Sequence, residues 1–174
     1  MKYPIGIQTF GQIIEGGYVY VDKTDLIYRL ANKSKIYFLG RPRRFGKSLL
    51  ISTLESYFLG KKELFKGLAI DKLETEWKQY PVFHLDFGTG NYLNDGTLED
   101  VLSGEISNWE SQYGITKSYD DLGKRFQQIL HAAHEKTGLG CVVLIDEYDK
   151  PILDVLDQDY QVEHLGKMIT LEEK

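Results

Sequence analysis

The chain has 174 residues, of which 42% are hydrophobic and 27% charged, and a formal net charge of −5. That length holds one domain with a real core rather than two ordinary ones, and the composition is the profile of a soluble globular protein. No apolar run approaches the about 20 residues needed to cross a bilayer. The N-terminus, Met1-Lys2-Tyr3-Pro4-Ile5-Gly6, has neither the apolar core nor the cleavage site of a secretory signal. A single cysteine, Cys141, excludes an internal disulfide and fits a reducing compartment. The expectation is a cytoplasmic protein without a membrane partner.

Charge is unevenly spread. Between Asp25 and Glu55 the chain has no acidic residue, yet Arg29, Lys33, Lys35, Arg41, Arg43, Arg44 and Lys47 all lie there. A basic stretch in an acidic chain is either a solvated loop or a place that meets an anion. Gly46-Lys47-Ser48 inside the stretch favours a phosphate.

In chain order, Gly17–Val21 reads as a short strand, and Asp22-Lys23-Thr24-Asp25 as a cap opening a helix to about Asn32. Ile36-Tyr37-Phe38-Leu39 reads as a buried strand ending in glycine. Leu50, Ile51, Leu54, Tyr57 and Phe58 repeat at helical spacing, and that helix stops near Gly60. Residues 61–80 suggest short helices. A second strand is expected over Pro81–Phe87, punctuated by Gly88 and Gly90. Thr97-Leu98-Glu99-Asp100 is a capping-box pattern opening a helix to about Tyr113, and Ser118 opens another that ends near Gly138. Cys141–Ile145 reads as a third buried strand, ending at Asp146. Asp157 to Lys174 reads as a polar helix and tail. Strands alternating with helices imply an α/β fold: a three-layer sandwich with a mostly parallel central sheet. Both motifs would then sit at carboxyl ends of strands, where such sheets bind ligands.

A phosphate-binding loop needs inward-facing backbone N–H groups, a lysine for the β/γ-phosphates and a hydroxyl for Mg²⁺. Gly46, Lys47 and Ser48 supply these at the start of a helix, whose dipole adds positive potential. The first glycine of the usual pattern is replaced by Arg41, and Pro42, Arg43, Arg44 and Phe45 fill the loop. Asp146, at the end of an apolar strand, can hold the Mg²⁺ shell opposite Ser48. Glu147, immediately after it, is placed to orient or deprotonate an attacking water. Gly-Lys-Ser alone arises often by chance, and so does an apolar strand ending in Asp-Glu. Their joint occurrence, each after a strand-like run, is harder to obtain by accident.

Other residues have plainer readings. His131 and His134 share a helix face with no third ligand, which points to an exposed face rather than a metal site. His84 reads as structural and Cys141 as core. Asp86 ends its strand and is weighed as facing the ligand crevice. Asp149 is expected to cap a helix starting at Lys150-Pro151. The aromatic residues are assigned mainly to the core.

Five stretches carry a family resemblance: Tyr3–Gln8, Tyr20–Thr24, Arg41–Ser48, Pro81–Phe87 and Leu144–Pro151. Together they resemble the AAA-ATPase-like family of bacteria and archaea, and Arg41-Pro42-Arg43-Arg44-Phe45-Gly46-Lys47-Ser48 is the most specific. The resemblance implies a P-loop NTPase with Walker A and Walker B motifs, acting as an ATP hydrolase. It makes Arg41 through Leu49 the nucleotide-contacting loop, with Lys47 and Glu147 catalytic and with Ser48 and Asp146 holding the metal. ATP and Mg²⁺ are the implied cofactors. Family members run longer and often end in a nuclease-like domain, so nucleic acid enters as a partner only through such a domain; self-assembly stays open. The same resemblance implies that residues 1–174 are the N-terminal part of a single domain whose sheet is incomplete at its C-terminal side. Two alternatives are a nucleotide-binding regulatory module without useful turnover and a DNA-associated fragment of an ATPase–nuclease protein. Overall acidity argues against autonomous DNA binding.

Overall fold

The computed structural model describes residues 1–40, 42, 44–116 and 119–156. Six α-helices and two strands are described: α1 Phe10–Glu15, α2 Thr24–Lys33, α3 Lys47–Phe58, β1 Val82–Asp86, α4 Thr97–Tyr113, α5 Leu122–Thr137, β2 Val142–Asp146 and α6 Lys150–Leu156. Short 3₁₀ turns cover Lys62–Phe65, Ala69–Lys72 and Phe87–Thr89. The chain forms two compact units, one of Met1–His84 with Ala132–Leu144, the other of Leu85–His131 with the segment from Ile145 onward.

The first unit is built on an aromatic core. Phe10, Ile27, Leu54, Tyr57, Phe65, Ile70 and Leu144 form one buried cluster. Phe10 lies 4.8 Å from Phe65, ring centre to ring centre, and Trp77 packs 5.2 Å from Phe65 and 5.9 Å from Tyr57. Such pairs add directional attraction to the area they bury. The helix spacing in the sequence explains the cluster: Leu54 and Tyr57 lie one turn apart on α3 and face the same way.

Asp22 and Thr24 act as a polar strap in this unit. Thr24, fully buried, donates its hydroxyl to Asp22 Oδ1 at 2.7 Å and accepts the Ile70 N–H at 3.0 Å. Asp22 also accepts the N–H of Thr24 at 2.9 Å and of Ala69 at 2.7 Å. Burial alone would raise the Asp22 carboxyl, but these bonds to its charged form hold it below the usual carboxylate range. The Asp-Lys-Thr stretch therefore starts α2 and ties it to the 69–72 turn.

In the second unit, Ile106 and Trp109 are buried on one face of α4, and Trp109 packs 5.7 Å from Phe126 of α5. Beside them Arg125 forks onto Glu110, with Nε to Oε1 at 2.9 Å and Nη2 to Oε2 at 2.7 Å. Ser103 and Ser107 accept two more of its N–H groups, so the buried pair is satisfied at both ends.

Several expectations are corrected. The mix of helices with a parallel sheet is consistent with the expected α/β class, but among the described residues that sheet has only the two strands β1 and β2 rather than the larger central sheet expected. Ile36–Leu39 is not a strand: Ile36 is 88% exposed and Phe38 75%. A strand requires a neighbour to complete its ladder, and here β1 and β2 take each other. Gly17–Val21 is also irregular. Val19 N–H bonds once, to the Lys2 carbonyl at 2.8 Å, while the Tyr20 and Phe10 rings meet edge to face with centres 5.2 Å apart. β2 is half-buried rather than buried on both faces, with Leu144 inward and Val143 and Ile145 exposed. α4 is preceded by left-handed Gly96 at φ 85°, with no side-chain cap, so Thr97 is its first helical residue. Ser118 and the segment 157–174 lie outside the described residues.

α1, Phe10–Glu15, has no counterpart in the sequence reading, while α2, α3, β1, α5 and α6 agree with it. No helix among the described residues is long and apolar enough to cross a membrane.

Candidate functional site

The phosphate-loop candidate enters α3 through a left-handed turn. Gly46 has φ 74° and stands at the N-cap of α3, and its carbonyl accepts the Leu50 N–H at 3.0 Å. Arg44 is also left-handed at φ 67°. Glycine takes that conformation without penalty, whereas an arginine does so only where its surroundings impose it. Lys47 and Ser48 are the first two residues of α3, whose opening N–H groups have no acceptor within the helix. That end of the helix offers backbone donors, an ammonium and a hydroxyl to an anion. Leu49 packs against the core, while Pro42, Arg44 and Phe45 are exposed. Arg41 and Arg43 lie outside the described residues.

Three anchors hold α3. Ser52 Oγ accepts the Phe10 N–H at 2.9 Å, Leu54 and Tyr57 enter the core, and Glu55 meets His84 Nδ1 at 3.4 Å. The hydrogen bond from His84 is the main cause holding the Glu55 carboxyl below its usual range, against the opposing push of burial. His84 is thus the structural residue that the sequence suggested.

The acidic motif follows β2. Asp146 is buried and its Oδ1 accepts the Glu147 N–H at 3.0 Å. Glu147 is half-buried at φ 50°, a left-handed geometry that costs a non-glycine residue about 1–2 kcal/mol. Strain of this kind gathers where function fixes a side chain. Asp149 takes the N-cap position of α6, its carbonyl accepting the N–H groups of Ile152 and Leu153, and Pro151 falls in the first turn. Lys150 Nζ pairs with both Asp154 oxygens at 2.7 Å.

Asp86 ends β1 as Asp146 ends β2, so adjacent parallel strands both finish in aspartate. Its Oδ1 accepts the Gly88 N–H at 2.7 Å. A Cβ placed on Gly88 would lie 3.5 Å from Glu147 Cγ, so this glycine packs beside Glu147. The sequence offered only one sign of that packing, a glycine soon after a strand end.

Among the described residues no group of three His, Cys, Asp or Glu side chains is set to hold a metal ion. His131 and His134 are exposed, and His134 Nδ1 instead meets the Leu139 carbonyl at 2.8 Å. A single buried aspartate suits Mg²⁺, which takes few protein ligands and completes its shell from phosphate and water.

A family model described as Predicted AAA-ATPase matches residues 4–171, and the chain belongs to that family. A relative from Azotobacter chroococcum mcd 1, named "Uncharacterized protein in vnfD 5'region", is 42% identical over 156 residues. That match covers 89% of this chain and 30% of the relative, so the chain spans less than a third of that protein's length. No solved structure matches.

Proposed function

We propose that this chain is the N-terminal part of a Mg²⁺-dependent, ATP-binding P-loop domain that hydrolyses ATP in the longer protein. The observation that carries the reading is the left-handed Gly46 opening directly onto Lys47 and Ser48 in the first turn of a well-anchored helix. Membership of the predicted AAA-ATPase family supports it.

In this reading the N–H groups opening α3 and the Lys47 ammonium bind the β- and γ-phosphates. Arg41, Arg43 and Arg44 add positive potential around them. Ser48 and Asp146 would hold Mg²⁺, which when bound neutralises charge on the phosphates. Glu147 orients the attacking water and takes its proton. The left-handed Glu147 backbone is strain of the kind that gathers at functional positions.

Phosphate release from ATP, compared between the wild-type chain and Glu147→Gln, tests the hydrolytic part. Turnover lost in the variant with ATP binding kept or tightened supports an enzyme. Binding without turnover in both proteins assigns the chain to the second reading, a nucleotide-dependent module. The exposed Ile36–Leu39 run favours that second reading for the chain by itself, because among the described residues the phosphate loop has no paired strand behind it.

A further inference from the structure

We propose that Asp86 and Gly88 form the seat of Glu147, making both of them positioning residues for the carboxylate that prepares water. The functional consequence rests on the role given to Glu147 above; the geometric claim does not.

Three observations in the second unit carry this. First, Asp86 Oδ1 accepts the Gly88 N–H at 2.7 Å, closing the end of β1 into the 3₁₀ turn Phe87–Thr89. An aspartate bonding to the backbone two residues on is a rigid local turn, and Phe87, only 9% exposed, pins it from below. Second, the face of that turn meets Glu147. A Cβ on Gly88 would stand 3.5 Å from Glu147 Cγ, ordinary packing distance, so the bare Cα–H surface of the glycine borders the Glu147 side chain. Third, the same Cβ would stand 2.9 Å from Asp86 Oδ1, closer than a carbon tolerates. Any side chain at position 88 therefore makes the Asp86 carboxylate shift where it accepts the Gly88 N–H, beside Glu147.

Glu147 cannot settle its own direction. Its backbone leaves the strand at φ 50°, and its N–H is already committed to Asp146 Oδ1 at 3.0 Å. The side chain is half-buried, so its rotamer depends on what borders it. What the role of Asp86 requires is an acceptor oxygen and not a negative charge. Asparagine presents the same Oδ1, and alanine presents none.

Two readouts on the whole chain test this, and one is independent of turnover. In nucleotide-free protein, the carbon–proton resonances of the Glu147 side-chain methylenes are expected to shift in Asp86→Ala and in Gly88→Ala and to stay at wild-type positions in Asp86→Asn. With ATP present, the alanine variants should lower kcat by on the order of ten- to a hundred-fold with KM unchanged, as for misplacement of a catalytic group by a fraction of an ångström to 1 Å. Asp86→Asn should restore kcat. Glu147 resonances unmoved by either alanine change, or Asp86→Asn behaving like Asp86→Ala, would overturn the proposal. Should Gly88→Ala fail to fold, the Asp86→Ala and Asp86→Asn pair makes the same comparison. A wild-type chain without turnover removes the hydrolytic reading alone, and the resonances still decide the seat.

Discussion

Two apolar runs lead to the two motifs, and they meet different fates. Ile36–Leu39 precedes the phosphate loop, and Val142–Ile145 precedes Asp146-Glu147. Both are short, rich in β-branched or aromatic residues, and bounded by a residue that ends a strand. The second is a strand: Val142 N–H bonds to the Pro81 carbonyl at 2.9 Å, β1 lies alongside, and Leu144 enters the aromatic core. The first stays irregular, with Ile36 88% and Phe38 75% exposed. Strand formation is a property of a pair, and propensity in one run does not supply the other member.

The contrast can be broken by substitution, and the largest effect is expected in the paired run. Leu144→Ala should cost about 2–5 kcal/mol in chemical denaturation, because it empties a well-packed site. Ile36→Ala should change stability by within about 0.5 kcal/mol, as at an ordinary surface position. Equal costs at the two positions would show that Ile36 is buried in solution and that the runs are alike after all.

Next in size is the strap at the start of α2, the helix that leads into the exposed run. Thr24→Val should cost about 1–3 kcal/mol, since it leaves the buried Ile70 N–H without its acceptor. A cost near zero would mean that water replaces the hydroxyl.

The two left-handed positions sharpen the comparison further. At Gly46 an added Cβ meets nothing within 4 Å, so Gly46→Ala should cost only the backbone strain, about 1–2 kcal/mol. Glu147→Gly should do the reverse, raising stability by about 1 kcal/mol while removing turnover. Stabilisation with activity retained would take Glu147 out of the mechanism.

The smallest effect is on pH dependence. Asp22, Glu55 and Glu74, all in the first unit, are held below the usual carboxylate range by hydrogen bonds to their charged forms. A depressed carboxyl contributes stability that is complete above the unfolded value, about 4, and is lost as pH falls through the lower folded value. Acid unfolding should thus steepen below about pH 4 and flatten in Asp22→Asn. An unchanged profile in that variant would show that Asp22 is not coupled to folding.

Much of the fold was legible in residues whose signal is local. Helical spacing of Leu50, Leu54 and Tyr57 gave α3, and the apolar run before Asp146 gave β2. Gly46-Lys47-Ser48 marked a turn into a helix, and the backbone shows that turn. What the sequence could not show depends on partners distant along the chain. Nothing near Ile36 says whether a neighbouring strand is at hand. Asp22 reads as a cap, and only the folded chain brings Ala69 and Ile70 to its strap. Gly88 reads as strand punctuation until β1 and β2 are side by side.

The central claim is that the turn through Gly46 into Lys47 and Ser48 binds nucleotide phosphate. Calorimetric titration of ATP with Mg²⁺ into the purified chain, with Lys47→Ala as control, tests it most directly. The account predicts saturable binding to the wild-type chain and its loss in the variant. Equal binding by a folded Lys47→Ala protein, or none by a folded wild-type chain, would contradict it.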